Sequence, residues 1–248
     1  MTFSIVDTRK YDKEFLFNSA GKYQQEYVSN LKNEKNVILS LGANYALKLA
    51  LSDFFKNFFN IKSDTAPELK YDIKHEKNGK PKYDFLVLQT SSDTKNMTQK
   101  ENMTPFFSLS HSEPYSVAAV SEFPIGIDIQ KIKYDKTAQQ KKTAQTTQKY
   151  DTKYDKLAKR FFSPNEVDFL SYFTDEKERT EQFFTLWTLK EAFLKASDKA
   201  GKIAMSDFTV EVDFESKNAY TIYENIRYEG KILEPPENDY KLALMWRK

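Results

Sequence analysis

"GIDIQKI", residues 126–132, holds three isoleucines, one glycine, one acid and one amide. In an extended strand, successive side chains leave on opposite faces. Ile127 and Ile129 would then point into a core, and Asp128 and Gln130 would share the other face. A carboxylate beside an amide on an otherwise apolar strand calls for a chemical reason.

The chain on either side supplies partners for such a strand. Downstream, "SPNEVDFLSYF" opens a helix, with Ser163 as N-cap, Pro164 at the first helical position and Glu166 completing a capping box. A second helix follows in "TEQFFTLWTLKEAFLKASDKAG", ending near Gly201. The segments "MSDFTVEVDF", "AYTIYENIRYEGKIL" and "DYKLALMWRK" alternate apolar and polar residues as antiparallel strands do. Upstream, residues 37–60 carry Leu41, Tyr45, Leu49 and Phe55 at helical spacing, and "YDFLVLQ" and "PFFSLSHS" read as strands around a polar loop at 90–104. Helices and antiparallel strands in both halves predict an α+β fold, divided at about 1–122 and 123–248.

A second polar stretch, residues 133–156, is nearly free of aliphatics and repeats KYD three times. From Lys131 to Arg160 there are ten basic and three acidic residues. Such a composition buries too little surface to offset its ordering entropy, so it reads as an insertion, mobile or partly helical. With its tyrosines it also admits a different reading of the chain, as a nucleic-acid-binding module.

Composition removes several classes of function. The 248 residues include no cysteine, which rules out disulfides, thiolate catalysis and thiolate metal sites. Two histidines, His75 and His111, are too few for a multi-histidine zinc centre. The six glycines never cluster, so neither a P-loop nor a dinucleotide fingerprint is present. Any phosphate must be held by side chains and a metal. The net charge of +2 does not make the whole chain a polycation, and its basic residues are 33 Lys against 5 Arg. No apolar run reaches the roughly 18 residues that span a bilayer, and the first fifteen residues carry charges where a leader would be apolar. These features lead to the expectation of a soluble, cytoplasmic protein that does not engage a membrane.

Taken alone, the candidate residues are ordinary. Glu191 and Lys195, four apart on a helix, make a common surface ion pair. His111 after a strand is a common structural histidine. In order along the chain, however, "GKP" (79–81), "FSLSHS" (107–112), "GIDIQKI" (126–132), "RFFSPNEVDFL" (160–170) and "LWTLKEAFLKA" (186–196) resemble the Sfp-type 4′-phosphopantetheinyl transferases. The last segment carries that family's most specific element complete, in Trp187, Lys190, Glu191 and Lys195.

The resemblance implies transfer of phosphopantetheine from coenzyme A to a serine of an apo acyl or peptidyl carrier protein, releasing 3′,5′-ADP. It implies a monomer built as a pseudo-dimer of two similar α+β halves, with coenzyme A and Mg²⁺, or Mn²⁺, in the cleft between them. It assigns Asp128 and Glu191 to the metal, with Gln130 as a weaker third contact. Glu191 is also the candidate base for the carrier serine, and Lys195 the group that stabilises or protonates the leaving phosphate. Lys80, Ser110 and His111 match residues that contact coenzyme A phosphates, and Lys190 is a further phosphate neighbour. Trp187, Phe161 and Phe162 are expected to pack the core. Many members carry Glu where this chain has Gln130, which weakens the expected hold on the metal. A homologue that binds coenzyme A without transferring it is the other reading, against which Asp128, Glu191 and Lys195 stand intact. Nucleic acid is not an expected partner.

Overall fold

The computed structural model describes residues 1–60, 68–76, 80–89, 104–134 and 152–247. Lys77, Gly79, the expected loop at 90–104 up to residue 103, and residues 135–151 lie outside the described residues. The chain packs as two compact units, Met1–Ile125 and Gly126–Lys248.

In the first unit, β1 (Thr2–Asp7), β4 (Phe106–Ser112) and β5 (Tyr115–Ser121) form a three-stranded antiparallel sheet in the order β1-β5-β4. Two short helices, α1 (Lys13–Asn18) and α2 (Lys22–Ser29), precede the long α3 (Glu34–Phe59). The α3 helix starts earlier than its apolar periodicity suggests, because Asn33 caps it: its side-chain oxygen accepts from the N–H groups of Lys35 and Asn36. By length and composition α3 could cross a bilayer. Here its Ala46, Leu47, Ala50, Leu51, Phe54 and Phe55 pack with Val6, Ala118 and Val120 of the sheet, so it serves as a core helix. A hairpin of β2 (Glu68–His75) and β3 (Pro81–Gln89) completes the unit, and its Ile73 enters the same core.

Asp72 of β2 holds α2 in place. The N-cap of α2 is Gly21, which has no side chain to offer. The Asp72 carboxylate takes that role from a distant strand, accepting from Tyr23 N–H at 2.9 Å. A Cβ on Gly21 would lie 2.3 Å from the Asp72 carboxyl carbon, so this cap requires glycine.

In the second unit, β6 (Ile125–Lys131), β7 (Glu211–Asp213), β8 (Asn218–Tyr223), β9 (Ile226–Leu233) and β10 (Tyr240–Trp246) form a five-stranded sheet in the order β6-β10-β9-β8-β7. The β8–β9 and β9–β10 pairs are antiparallel. The β8–β9 turn places Glu224 and Asn225 both at positive φ, as a two-residue hairpin loop demands. Three helices pack on this sheet or on one another: α4 (Lys153–Phe161), α5 (Pro164–Ser171) and α6 (Glu176–Ala196). The fold is α+β, as expected.

The polar insertion ends sooner than residue 156. Thr152 caps α4 through a capping box with Asp155, and Tyr154 is buried against Phe183 and Phe184. The last KYD repeat therefore belongs to an ordered helix. Its tyrosine supplies the apolar contact that composition alone hides.

Candidate active site

Asp128 and Gln130 stand on β6. Ile127 and Ile129 are fully buried, but so is Asp128, at 2% exposure, while Gln130 is half-buried. The expected alternation puts Asp128 and Gln130 on one face, and a hydrogen bond joins them: Gln130 Nε2 donates to Asp128 Oδ2 at 3.0 Å. That face is covered rather than open, so Asp128 is a carboxylate inside the protein and needs compensation.

The compensation comes from α6. Lys195 Nζ donates to Asp128 Oδ1 at 2.7 Å and to the Ile127 carbonyl at 3.0 Å. One helical turn earlier, Glu191 stands close enough to feel both charges. Burial raises the Glu191 pKa, the Asp128 charge raises it further, and Lys195 opposes them. A carboxyl whose neighbour is another buried carboxylate is a natural place for a cation.

Gly126 sets how close α6 comes. A Cβ there would sit 1.9 Å from the Ala192 carbonyl oxygen and 2.7 Å from the Ala196 nitrogen. The helix backbone thus lies directly on the strand at Gly126, and the residues flanking that contact on α6 are Glu191 and Lys195. The glycine of "GIDIQ" is a steric requirement of the site.

Lys190 departs from expectation. It is fully buried and points away from Asp128, toward α5. Its ammonium donates to Glu166 Oε2 at 2.8 Å and to the Phe208 carbonyl at 2.6 Å, and it stands 4.2 Å from the Phe208 ring centroid. Burial pulls its pKa down, and the Glu166 carboxylate works against that shift. Glu166 also accepts from Ser163 N–H and Oγ–H and from Val210 N–H. Lys190 is therefore no phosphate ligand; it is half of a buried ion pair tying α6 to α5 and to the segment before β7. The sequence reading found Glu166 only as a capping residue. The signal for its second role was a lysine set between buried positions 189 and 192 on one helix, with an acid available on another.

Gln130 is engaged with Asp128 itself. Its amide turns nitrogen, not oxygen, toward Asp128, so it acts as a donor to the acid. Trp187 packs on Phe161, Phe162 and Phe183, as expected of a core residue.

The remaining candidates lie in the first unit. Ser110 and His111 are successive residues of β4, half-buried and exposed respectively, and so project to opposite faces of that strand. Lys80 is exposed where the chain enters β3, and its carbonyl accepts from Glu76 N–H.

Residues 124–245 match the family model of the 4′-phosphopantetheinyl transferase superfamily. That segment spans the second unit and contains Asp128, Gln130, Glu166, Lys190, Glu191 and Lys195. Through that segment, the second unit is similar to the 4′-phosphopantetheinyl transferase superfamily. The 4′-phosphopantetheinyl transferase Sfp of Bacillus subtilis is 33% identical over 105 residues, covering 42% of this chain and 38% of that protein. A putative 4′-phosphopantetheinyl transferase of Synechocystis is 40% identical over 104 residues, covering 42% of this chain and 35% of that protein. The gsp 4′-phosphopantetheinyl transferase of Aneurinibacillus migulanus is 30% identical over 163 residues, covering 60% of this chain and 61% of that one. The chain thus spans less than two thirds of the length of these relatives. Among solved structures, an ACPS–CoA complex of Chronobacterium ammoniagenes aligns with a TM-score of 0.32 at 21% identity, covering 50% of this chain and 96% of that one.

Proposed function

We propose that this protein transfers the 4′-phosphopantetheine group of coenzyme A to a serine hydroxyl of an apo carrier protein, with Mg²⁺ as its ion. The observation that carries the proposal is the meeting of Asp128, Glu191 and Lys195 inside the segment that matches the superfamily.

The donor set fits the ion. Two carboxylates are hard oxygen ligands, and the charge of one already disfavours ionisation of the other. Among the described residues no cluster of three or more His, Asp or Glu could enclose a metal. Mg²⁺ and Mn²⁺ need only one or two carboxylates, because they keep several waters and rely on substrate phosphates for the rest. When bound, the ion would offset charge on the phosphate under attack and orient it.

The chain's own groups divide the remaining work. Glu191, with its raised pKa, accepts the proton of the attacking serine hydroxyl more readily than an ordinary carboxylate does. The serine oxygen forms a bond to the β-phosphorus of coenzyme A as the bond to 3′,5′-ADP breaks. Lys195 offers its ammonium to the charge that develops on the departing phosphate. Lys80, Ser110 and His111 are assigned to coenzyme A phosphates on the family resemblance. The protein is proposed to act as a cytoplasmic monomer.

The test is intact mass of apo carrier proteins from fatty-acid, polyketide and nonribosomal-peptide systems after incubation with the protein, coenzyme A and Mg²⁺. A gain of one phosphopantetheine, lost in Asp128→Ala and in Glu191→Ala, is expected. No gain on any carrier refutes the proposal.

A further inference from the structure

Asp128 is a buried carboxylate whose two oxygens already accept hydrogen bonds from the chain itself, Oδ1 from the Lys195 ammonium at 2.7 Å and Oδ2 from the Gln130 amide at 3.0 Å. The positive charge beside this acid is therefore supplied by the protein. The Ile127 carbonyl steadies the same ammonium at 3.0 Å, so the lysine is seated by two acceptors. We propose that Lys195, with Gln130 as a second donor, serves as a built-in counter-ion for Asp128, and that a divalent cation binds by displacing the lysine ammonium. On this view Lys195 sets the affinity for the metal, in opposition to the two acids. The inference rests on the transferase reading only for the identity of the ion's role.

The physical argument is one of charge. A divalent ion and an ammonium held against one buried carboxylate repel each other, in surroundings where charge is poorly screened. One of them must withdraw. Lys195 can do so, because its side chain is 27% exposed while Asp128 is almost wholly enclosed. Gln130 must turn its amide through half a rotation before its oxygen faces an ion, since it now presents its nitrogen. Both movements oppose metal entry. Displacement has a second effect: the ammonium that leaves Asp128 is set free for a substrate phosphate. Metal entry and arming of Lys195 thus become one event.

The experiment measures Mn²⁺ binding to the full chain, without coenzyme A or carrier, by the electron paramagnetic resonance of free Mn²⁺. Lys195→Met should bind Mn²⁺ roughly tenfold or more tightly than wild type, because the competing charge is gone. The gain should vanish in Lys195→Met combined with Asp128→Asn. In chelator the Lys195→Met protein should melt lower than wild type and recover with Mn²⁺, whereas wild type should respond little to either. Should Lys195→Met fail to fold without metal, Lys195→Gln keeps a donor for Asp128 without the charge, and the same tightening is expected of it. Mn²⁺ affinity that is unchanged or weaker in the folded variant overturns the proposal. The transfer assay is separate: a wild type that modifies no carrier, together with a tighter Lys195→Met, would remove the transferase reading and leave the counter-ion standing.

Discussion

Replacing Lys190 by methionine should destabilise the protein by about 3 kcal/mol or more, with no direct loss of a site residue. Removing one partner of a buried ion pair typically costs about 3–5 kcal/mol, because the other charge remains buried and uncompensated. Here Glu166, at 3% exposure, keeps three donors in Ser163 N–H, Ser163 Oγ–H and Val210 N–H, which places the loss toward the lower end. The Phe208 carbonyl loses its 2.6 Å donor as well, a further cost of about 1 kcal/mol. In a unit of this size the sum lowers the melting temperature by roughly 10–15 °C. Urea unfolding followed by tryptophan fluorescence reads it, since Trp187 stacks on Phe183 and packs at a tilt against Phe162, whose ring the Lys190 ammonium also faces. The double variant Glu166→Gln with Lys190→Met removes both charges and should be more stable than Lys190→Met alone. A single variant within about 1 kcal/mol of wild type, or a double variant with additive losses, would refute the assignment of Lys190 and Glu166 as mutually dependent charges.

Gly126→Ala should abolish transfer while leaving the first unit folded, because its Cβ collides with the backbone of α6 and pushes Glu191 and Lys195 off Asp128; near-normal turnover would contradict that contact. Gln130→Glu sets a second carboxylate against Asp128, so it should lower the Mg²⁺ concentration for half-maximal rate severalfold, and an unchanged Mg²⁺ dependence would count against it. His75 is half-buried and stacked on Tyr27 at 3.9 Å, and burial holds its pKa below the ordinary 6.5. The unfolded chain then binds more protons than the folded one as pH drops below 6.5. Stability should be full above that pH and decline beneath it, and His75→Phe should flatten this part of the denaturation profile.

Much of the site was legible because it rests on short-range geometry. A period of two puts Asp128 beside Gln130, and a spacing of four puts Glu191 beside Lys195; the structure closes the two pairs into one cluster. The Ser163–Glu166 capping box and the start of α5 follow from local chemistry in the same way. What was hidden depends on partners distant in sequence. Lys190 was expected beside a phosphate because the counter-charge that buries it lies 24 residues earlier on another helix. The burial of Asp128 was not legible, because alternation predicts which residues share a face and says nothing of what covers it. The reason for Gly126 was equally out of reach, since it is the approach of a helix about seventy residues downstream. The helix α2 has no cap in its own sequence, for its cap is Asp72.

That last arrangement bears on how the chain is made. The eight residues of α2 are too few to hold a helix in water unaided, and the acceptor for the Tyr23 N–H stands 49 positions later. As the polypeptide leaves the ribosome, residues 22–29 emerge well before Asp72 does. Through that interval the segment lacks its cap, and it can settle only when β2 arrives. The amino-terminal part of this protein is thus translated first but cannot finish folding first.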